Sequence, residues 1–152
     1  MRIQLALNVD DLEAAVAYYS KLFDAEPHKR KPGYANFALD EPPLKLVLLE
    51  NPNAGERLNH LGVEVADSDS VERATQRLNE HGITEETEQA RVCCYAKQDK
   101  VWSRDPSGLR WEWYTVLEDS SSWGTGEREE RGSETSLGKG ATREGRCCSG
   151  AD

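Results

Sequence analysis

The chain has 152 residues and a net charge of −9, one domain's worth of length with enough material for a real core. That charge argues against nucleic-acid binding, whose electrostatic term needs a basic face, and favours a small-molecule site. No run approaches the roughly 20 apolar residues of a membrane helix, and the N-terminus enters a strand pattern without an apolar leader. The expectation is a cytosolic protein without a membrane partner.

Arg2 to Val9 alternates as a strand, with Ile3, Leu5, Leu7 and Val9 on one face and Gln4, Ala6 and Asn8 on the other. Asp10 and Asp11 are good helix N-caps, and Leu12, Ala15, Val16, Tyr19, Leu22 and Phe23 follow at helical spacing, so a helix is predicted over 11–24. Pro27, Pro32 and Gly33 break it. Strands are predicted at 34–39 and 44–50, with a turn over 40–43 and a linker over 51–57.

The pattern then starts again. Leu58 to Val65 reads as a strand, and Ser68 to Ser70 caps a helix whose buried stripe is Val71, Ala74 and Leu78. Overlaying the halves sets Gln4 on His60 at an offset of 56 residues. At the far end Asp40 to Leu48 falls on Asp105 to Trp113 at an offset of 65, so nine extra residues have entered the second half, around 88–98. Asp105-Pro106-Ser107-Gly108 is a reverse-turn sequence. In the strand that follows, Leu109, Trp111 and Trp113 share one face, and Arg110, Glu112 and Tyr114 the other. Residues 118–152 are rich in Ser, Gly, Glu, Arg and Thr, too polar to offset their ordering entropy, and are expected to be a disordered tail.

By the overlay, four positions face one another across the repeat: Gln4, Val47, His60 and Glu112. Three of them can bind a metal. Imidazole, carboxylate and amide oxygen make a mixed N and O set that suits iron or a similar divalent ion and leaves coordination positions open. The four cysteines form two adjacent pairs, Cys93-Cys94 and Cys147-Cys148. Neighbours in sequence are too close for an unstrained mutual disulfide. A bridge between the two pairs is geometrically possible, but a cytosolic chain would keep them reduced. Two cysteines in succession on a polar loop, with Arg91 and Lys97 nearby to favour thiolate, suit a soft, thiophilic centre.

The duplicated strand, helix and strands pattern resembles the vicinal oxygen chelate superfamily of glyoxalase I, bleomycin resistance proteins and extradiol dioxygenases. The resemblance covers 1–117 and implies an α+β fold: two tandem βαβββ modules, about 1–50 and 58–117, forming a cupped mixed sheet around a divalent metal. Valine at 47, where a four-ligand glyoxalase site has a second carboxylate, disfavours that isomerase chemistry. With the dithiol, the three-ligand site is similar to the carbon-arsenic lyases and the related cadmium-induced proteins of the superfamily, although Gln4 stands where a second histidine is usual.

That resemblance implies an Fe(II)-dependent lyase using dioxygen as co-substrate. It would cleave trivalent organoarsenicals, methylarsenite and trivalent aromatic arsenicals, to arsenite. It assigns Gln4, His60 and Glu112 to iron and Cys93 and Cys94 to arsenic, with Arg110 and Tyr114 as possible supporting groups, in a monomer or homodimer. Two other readings stay open: a cadmium- or arsenite-binding protein without turnover, and a ring-cleaving or thiol-transferring enzyme of the same fold.

Overall fold

The computed structural model describes residues 1–124, and Cys147-Cys148 lies outside them. The elements run β1 (Arg2–Val9), α1 (Leu12–Phe23), β2 (Lys29–Lys31), β3 (Tyr34–Leu39), β4 (Leu44–Glu50), β5 (Leu58–Glu64), α2 (Ser68–Glu80), β6 (Thr84–Cys93), β7 (Ala96–Arg104) and β8 (Arg110–Asp119). α1 begins at a predicted cap, whereas α2 is capped by Asp67, one residue before the predicted Ser68 to Ser70. Asp11 accepts a hydrogen bond from the Ala14 amide at 2.9 Å and Asp67 from the Ser70 amide at 2.8 Å, each cap contributing about 1 kcal/mol.

The eight strands form one mixed sheet in the order β2-β3-β4-β1-β5-β8-β7-β6. β1 and β5 pair antiparallel at its centre, and each pairs in parallel with the last strand of its own module, β4 or β8. The two modules are thus arranged as mirror orders about the β1/β5 seam, as the repeat predicts. On the convex face α1 covers Ala35, Phe37, Leu46 and Leu48, while α2 packs Val71, Ala74 and Leu78 onto Val63, Val65 and Val101, with Trp113 against the same cluster. Burying each large side chain contributes about 1.5–3 kcal/mol, so the helices pin one face of the sheet and leave the concave face for chemistry. Among the described residues, no helix is long and apolar enough to cross a membrane.

The extra residues of the second module lengthen a hairpin. β2 spans three residues, but β6 spans ten and β7 nine. Cys93 pairs with Ala96 at the hairpin end, so Cys94 and Tyr95 form a two-residue turn with φ of 53° and 61°. Positive φ at both positions is what a type I′ turn requires, and glycine or asparagine is the usual occupant. Placing Cys and Tyr there costs on the order of 1 kcal/mol each. The cysteine pair therefore stands on a tight hairpin tip rather than on the open polar loop that the sequence suggested.

Several contacts carry that tip across the cup to the opposite module. Lys29 Nζ, on β2, donates to the Tyr95 carbonyl at 3.1 Å and also pairs with Asp119. The Tyr95 hydroxyl donates to the Pro32 carbonyl at 3.3 Å. The chain after β8 then folds over the turn. The Ser120 amide donates to the Tyr95 carbonyl at 2.8 Å, and Trp123 meets Tyr34 and Tyr95 with ring centroids 5.9 and 5.4 Å apart. Gly124 (φ 90°) lies so close that an added Cβ would sit 2.0 Å from the Val92 carbonyl oxygen, so only glycine fits.

Candidate metal centre

The centre is built on a row of paired residues running across the seam. Gln4 on β1 pairs with Gly62 on β5, and Gly62 pairs with Glu112 on β8. Gly62 has no side chain, so its neighbours lean together over the gap. A Cβ at Gly62 would lie 3.0 Å from Glu112 Cγ and 3.2 Å from Gln4 Cβ. His60, two residues earlier on β5, faces the same side by the pleat.

The three predicted groups therefore converge. Gln4 Nε2 is 2.5 Å from Glu112 Oε1 and 3.1 Å from His60 Nε2, and His60 Nε2 is 3.2 Å from Glu112 Oε1. All three residues are buried. A chain of amides fixes the imidazole. Asn8 Nδ2 donates to the Glu56 carbonyl at 2.9 Å, Asn59 Nδ2 donates to Asn8 Oδ1 at 3.0 Å, and Asn59 Oδ1 is left to accept from His60 Nδ1 at 2.7 Å. The proton sits on Nδ1, so the Nε2 lone pair points at Glu112.

Two groups missed by the sequence reading complete the surroundings. Lys100 Nζ lies 3.1 Å from Glu112 Oε2 and is buried with it. Burial alone would raise the Glu112 carboxyl, but the Lys100 ammonium beside it holds it well below the usual carboxylate range. The Trp102 ring stands edge to face with His60 at 5.2 Å, and its indole N–H donates to Glu88 Oε1 at 3.0 Å. The only sequence signal for either was alternation: Gln98, Lys100 and Trp102 share one face of β7.

Of the supporting groups, Tyr114 joins the centre and Arg110 does not. The Tyr114 hydroxyl donates to Gln4 Oε1 at 2.6 Å, and burial, then the Glu112 and Glu64 charges, raise its pKa. Arg110 instead stacks on the outside of Trp102, 4.0 Å from the ring centroid, and pairs with Glu85 at 3.1 Å. Val47 lies in the cup wall beside Ala6, Tyr34 and Leu49, with Cys94 packed against that cluster.

Gln4, His60, Glu112, Lys100, Val47, Tyr34, Gln98 and Cys94 line one pocket. With its open mouth it spans about 340 Å³. Cys93 and Cys94 sulfurs are 3.3 Å apart, too far for a bond to each other.

The donor set fits a cation, with one condition. Among the described residues no three of His, Cys, Asp and Glu gather as a metal site, so a metal here needs the Gln4 amide as its third protein ligand. The His60 Nε2 lone pair and the Glu112 carboxylate face each other at 3.2 Å in a buried space, a juxtaposition that a positive ion stabilises. Three ligands on one face of an octahedron at about 2.1 Å from a metal lie about 3.0 Å apart, close to the separations found. The condition is that the Gln4 amide present its oxygen. The Gln98 Oε1 atom on the pocket wall is buried without a hydrogen-bond partner among the described residues, a further sign of a polar occupant.

Comparison with known proteins agrees with this architecture. The model of the Glyoxalase/Bleomycin resistance protein/Dioxygenase superfamily matches residues 3–113. The chain is 58% identical over 149 residues to the cadmium-induced protein CadI of Mycobacterium tuberculosis, spanning 98% of this chain and 93% of that one. It is 56% identical over 124 residues to the trivalent organoarsenical cleaving enzyme of Thermomonospora curvata, spanning 80% and 81%. Among solved structures, methylmalonyl-CoA epimerase from Mycobacterium tuberculosis superposes with a TM-score of 0.53 at 15% identity, covering 74% of this chain and 85% of that one, a likeness of fold alone. With its duplicated modules, its cup and its matched span, the chain belongs to the Glyoxalase/Bleomycin resistance protein/Dioxygenase superfamily.

Proposed function

We propose that the protein is a non-heme Fe(II), O2-dependent carbon-arsenic lyase that degrades trivalent organoarsenicals to arsenite. The observation that carries this reading is that Cys94 and the Gln4, His60 and Glu112 group line one pocket, which brings a soft arsenic ligand beside a hard metal site. Similarity to the trivalent organoarsenical cleaving enzymes, at 56% and 41% identity, supports it.

In this reading Gln4, His60 and Glu112 hold the iron, and bound there Fe(II) supplies the one-electron chemistry that dioxygen needs. Lys100 keeps Glu112 ionised and fixes its second oxygen. Asn59 keeps the His60 Nε2 lone pair directed inward. Val47 supplies no ligand, which leaves space on that side for substrate and oxygen. Cys93 and Cys94, in their reduced form, hold the arsenic. The apolar wall of Ala6, Val47 and Leu49 excludes water, and the open mouth takes the organic substituent.

Reduced protein, loaded anaerobically with Fe(II) and then given methylarsenite and oxygen, should release inorganic arsenite, read by arsenic speciation. Zn2+ should occupy the site without turnover, because it has no redox chemistry. Equal activity with zinc would overturn the oxygenase reading. A cadmium-binding role without turnover is the second reading, favoured by the likeness to CadI. Stoichiometric capture of cadmium with no arsenite released would select it.

A further inference from the structure

Tyr114 is buried at the floor of the cup, and its hydroxyl donates to Gln4 Oε1 at 2.6 Å. The other end of that amide, Nε2, faces Glu112 at 2.5 Å and His60 at 3.1 Å. An amide nitrogen carries no lone pair for a metal, so in this arrangement the third corner of the ligand triangle is a donor group. The site satisfies itself by hydrogen bonds. To take a metal, the amide must turn over and present oxygen to the space between His60 and Glu112, which sends its NH2 group toward Tyr114. A phenolic hydroxyl accepts as readily as it donates. A carbonyl or a carboxylate in its place would favour only one of the two orientations.

Resting on the proposed metal function, we infer that Tyr114 is the positioning residue that allows a glutamine to serve as a metal ligand. It holds the amide by its oxygen when the site is empty and by its nitrogen when a metal is bound. Two features of the structure serve this exchange. The missing side chain at Gly62 gives the amide room beside it, since a Cβ there would approach Gln4 Nε2 to 3.3 Å. The Lys45 ammonium lies over the Tyr114 ring, 5.0 Å from its centroid, and helps to fix the ring beside the row.

The test is a double-mutant cycle on the reduced full chain, with anaerobic Fe(II) binding followed by isothermal titration calorimetry. Tyr114→Phe removes the hydroxyl and keeps the ring. It should weaken Fe(II) binding about 10- to 100-fold, the usual effect of removing an outer partner of a metal ligand. Gln4→Glu places an oxygen at both ends of the side chain, so the choice of orientation disappears. Tyr114→Phe in the Gln4→Glu background should then change affinity less than about threefold, against that same 10- to 100-fold range. Thermal unfolding of each metal-free variant separates loss of fold from loss of ligand positioning.

Equal losses in both backgrounds, or no loss in the Gln4 background, would overturn the positioning role. No Fe(II) binding by the unsubstituted protein would overturn both this role and the metal function. Normal metal binding and the expected cycle, without arsenite release, would sink the lyase reading alone and leave the role of Tyr114 standing.

Discussion

Lys100 sets its ammonium 3.1 Å from Glu112 Oε2, and both side chains are almost wholly removed from water. Breaking such a pair by removing one partner strands a buried charge, at a cost of about 3–5 kcal/mol. Lys100→Met should therefore unfold at lower denaturant concentration at pH 7. A divalent cation should restore part of the loss by taking over the charge balance. In the unsubstituted protein the folded-state pKa of Glu112 is depressed. Its contribution is present above the unfolded carboxylate value, about 4.3, and is lost as pH falls further. Denaturation midpoints across pH 3 to 7 measure this, and a Lys100→Met variant as stable as its parent at pH 7 would contradict it.

Gly62→Ala probes the gap across which the ligands meet. The new Cβ would press on Glu112 Cγ at 3.0 Å and Gln4 Cβ at 3.2 Å, and overpacking of this kind costs about 1–3 kcal/mol. The larger effect should be on metal affinity, since the two side chains must part. Calorimetry should show a loss of about tenfold or more, the range of supporting-residue effects. Unchanged affinity would mean that the ligands do not depend on the missing side chain.

Asn59→Leu removes the acceptor for His60 Nδ1–H, which lies 2.7 Å away. The imidazole is then free to place its proton on Nε2, where it blocks the metal. A loss of about 10- to 100-fold in affinity is expected, while Asn59→Asp, still an acceptor, should retain binding. The tautomer is read directly from 15N chemical shifts of the ring. If Asn59→Leu kept Nε2 unprotonated, the amide chain from Asn8 would have no part in the site.

Cys93→Ser and Cys94→Ser separate arsenic capture from metal binding. Each should abolish organoarsenical binding while leaving Fe(II) affinity within about threefold, far below the 10- to 100-fold cost of a lost metal-supporting group. The two sulfurs lie 3.3 Å apart at the β6–β7 hairpin tip, on different elements from Gln4, His60 and Glu112. Retained cleavage by both variants would show that the substrate is held elsewhere.

The repeat is a property of the sequence itself. The repeat aligns Gln4 with His60 at an offset of 56 residues and Val47 with Glu112 at an offset of 65, and alternation within each strand then gives the matched residues equivalent faces. That is why the α+β class, the paired modules and the meeting of Gln4, His60 and Glu112 could be read before any coordinate. Register across strands, by contrast, is a long-range property. Only the sheet decides that Gly62 stands between Gln4 and Glu112. Only the curl of that sheet brings Lys29 of the first edge to the Tyr95 carbonyl near the last.

Arg110 shows the limit most clearly. Alternation placed it correctly on the face of Glu112, but Trp102, which pairs with Glu112 from β7, stands between Arg110 and the centre, and the guanidinium turns outward to Glu85. The same register brings Lys100 inward to neutralise Glu112, a partner that residue type and spacing did not announce. Local periodicity determines which face a residue occupies. The pairing of distant strands decides what it meets there, because those contacts form between segments whose spacing in the chain carries no record of their distance in space.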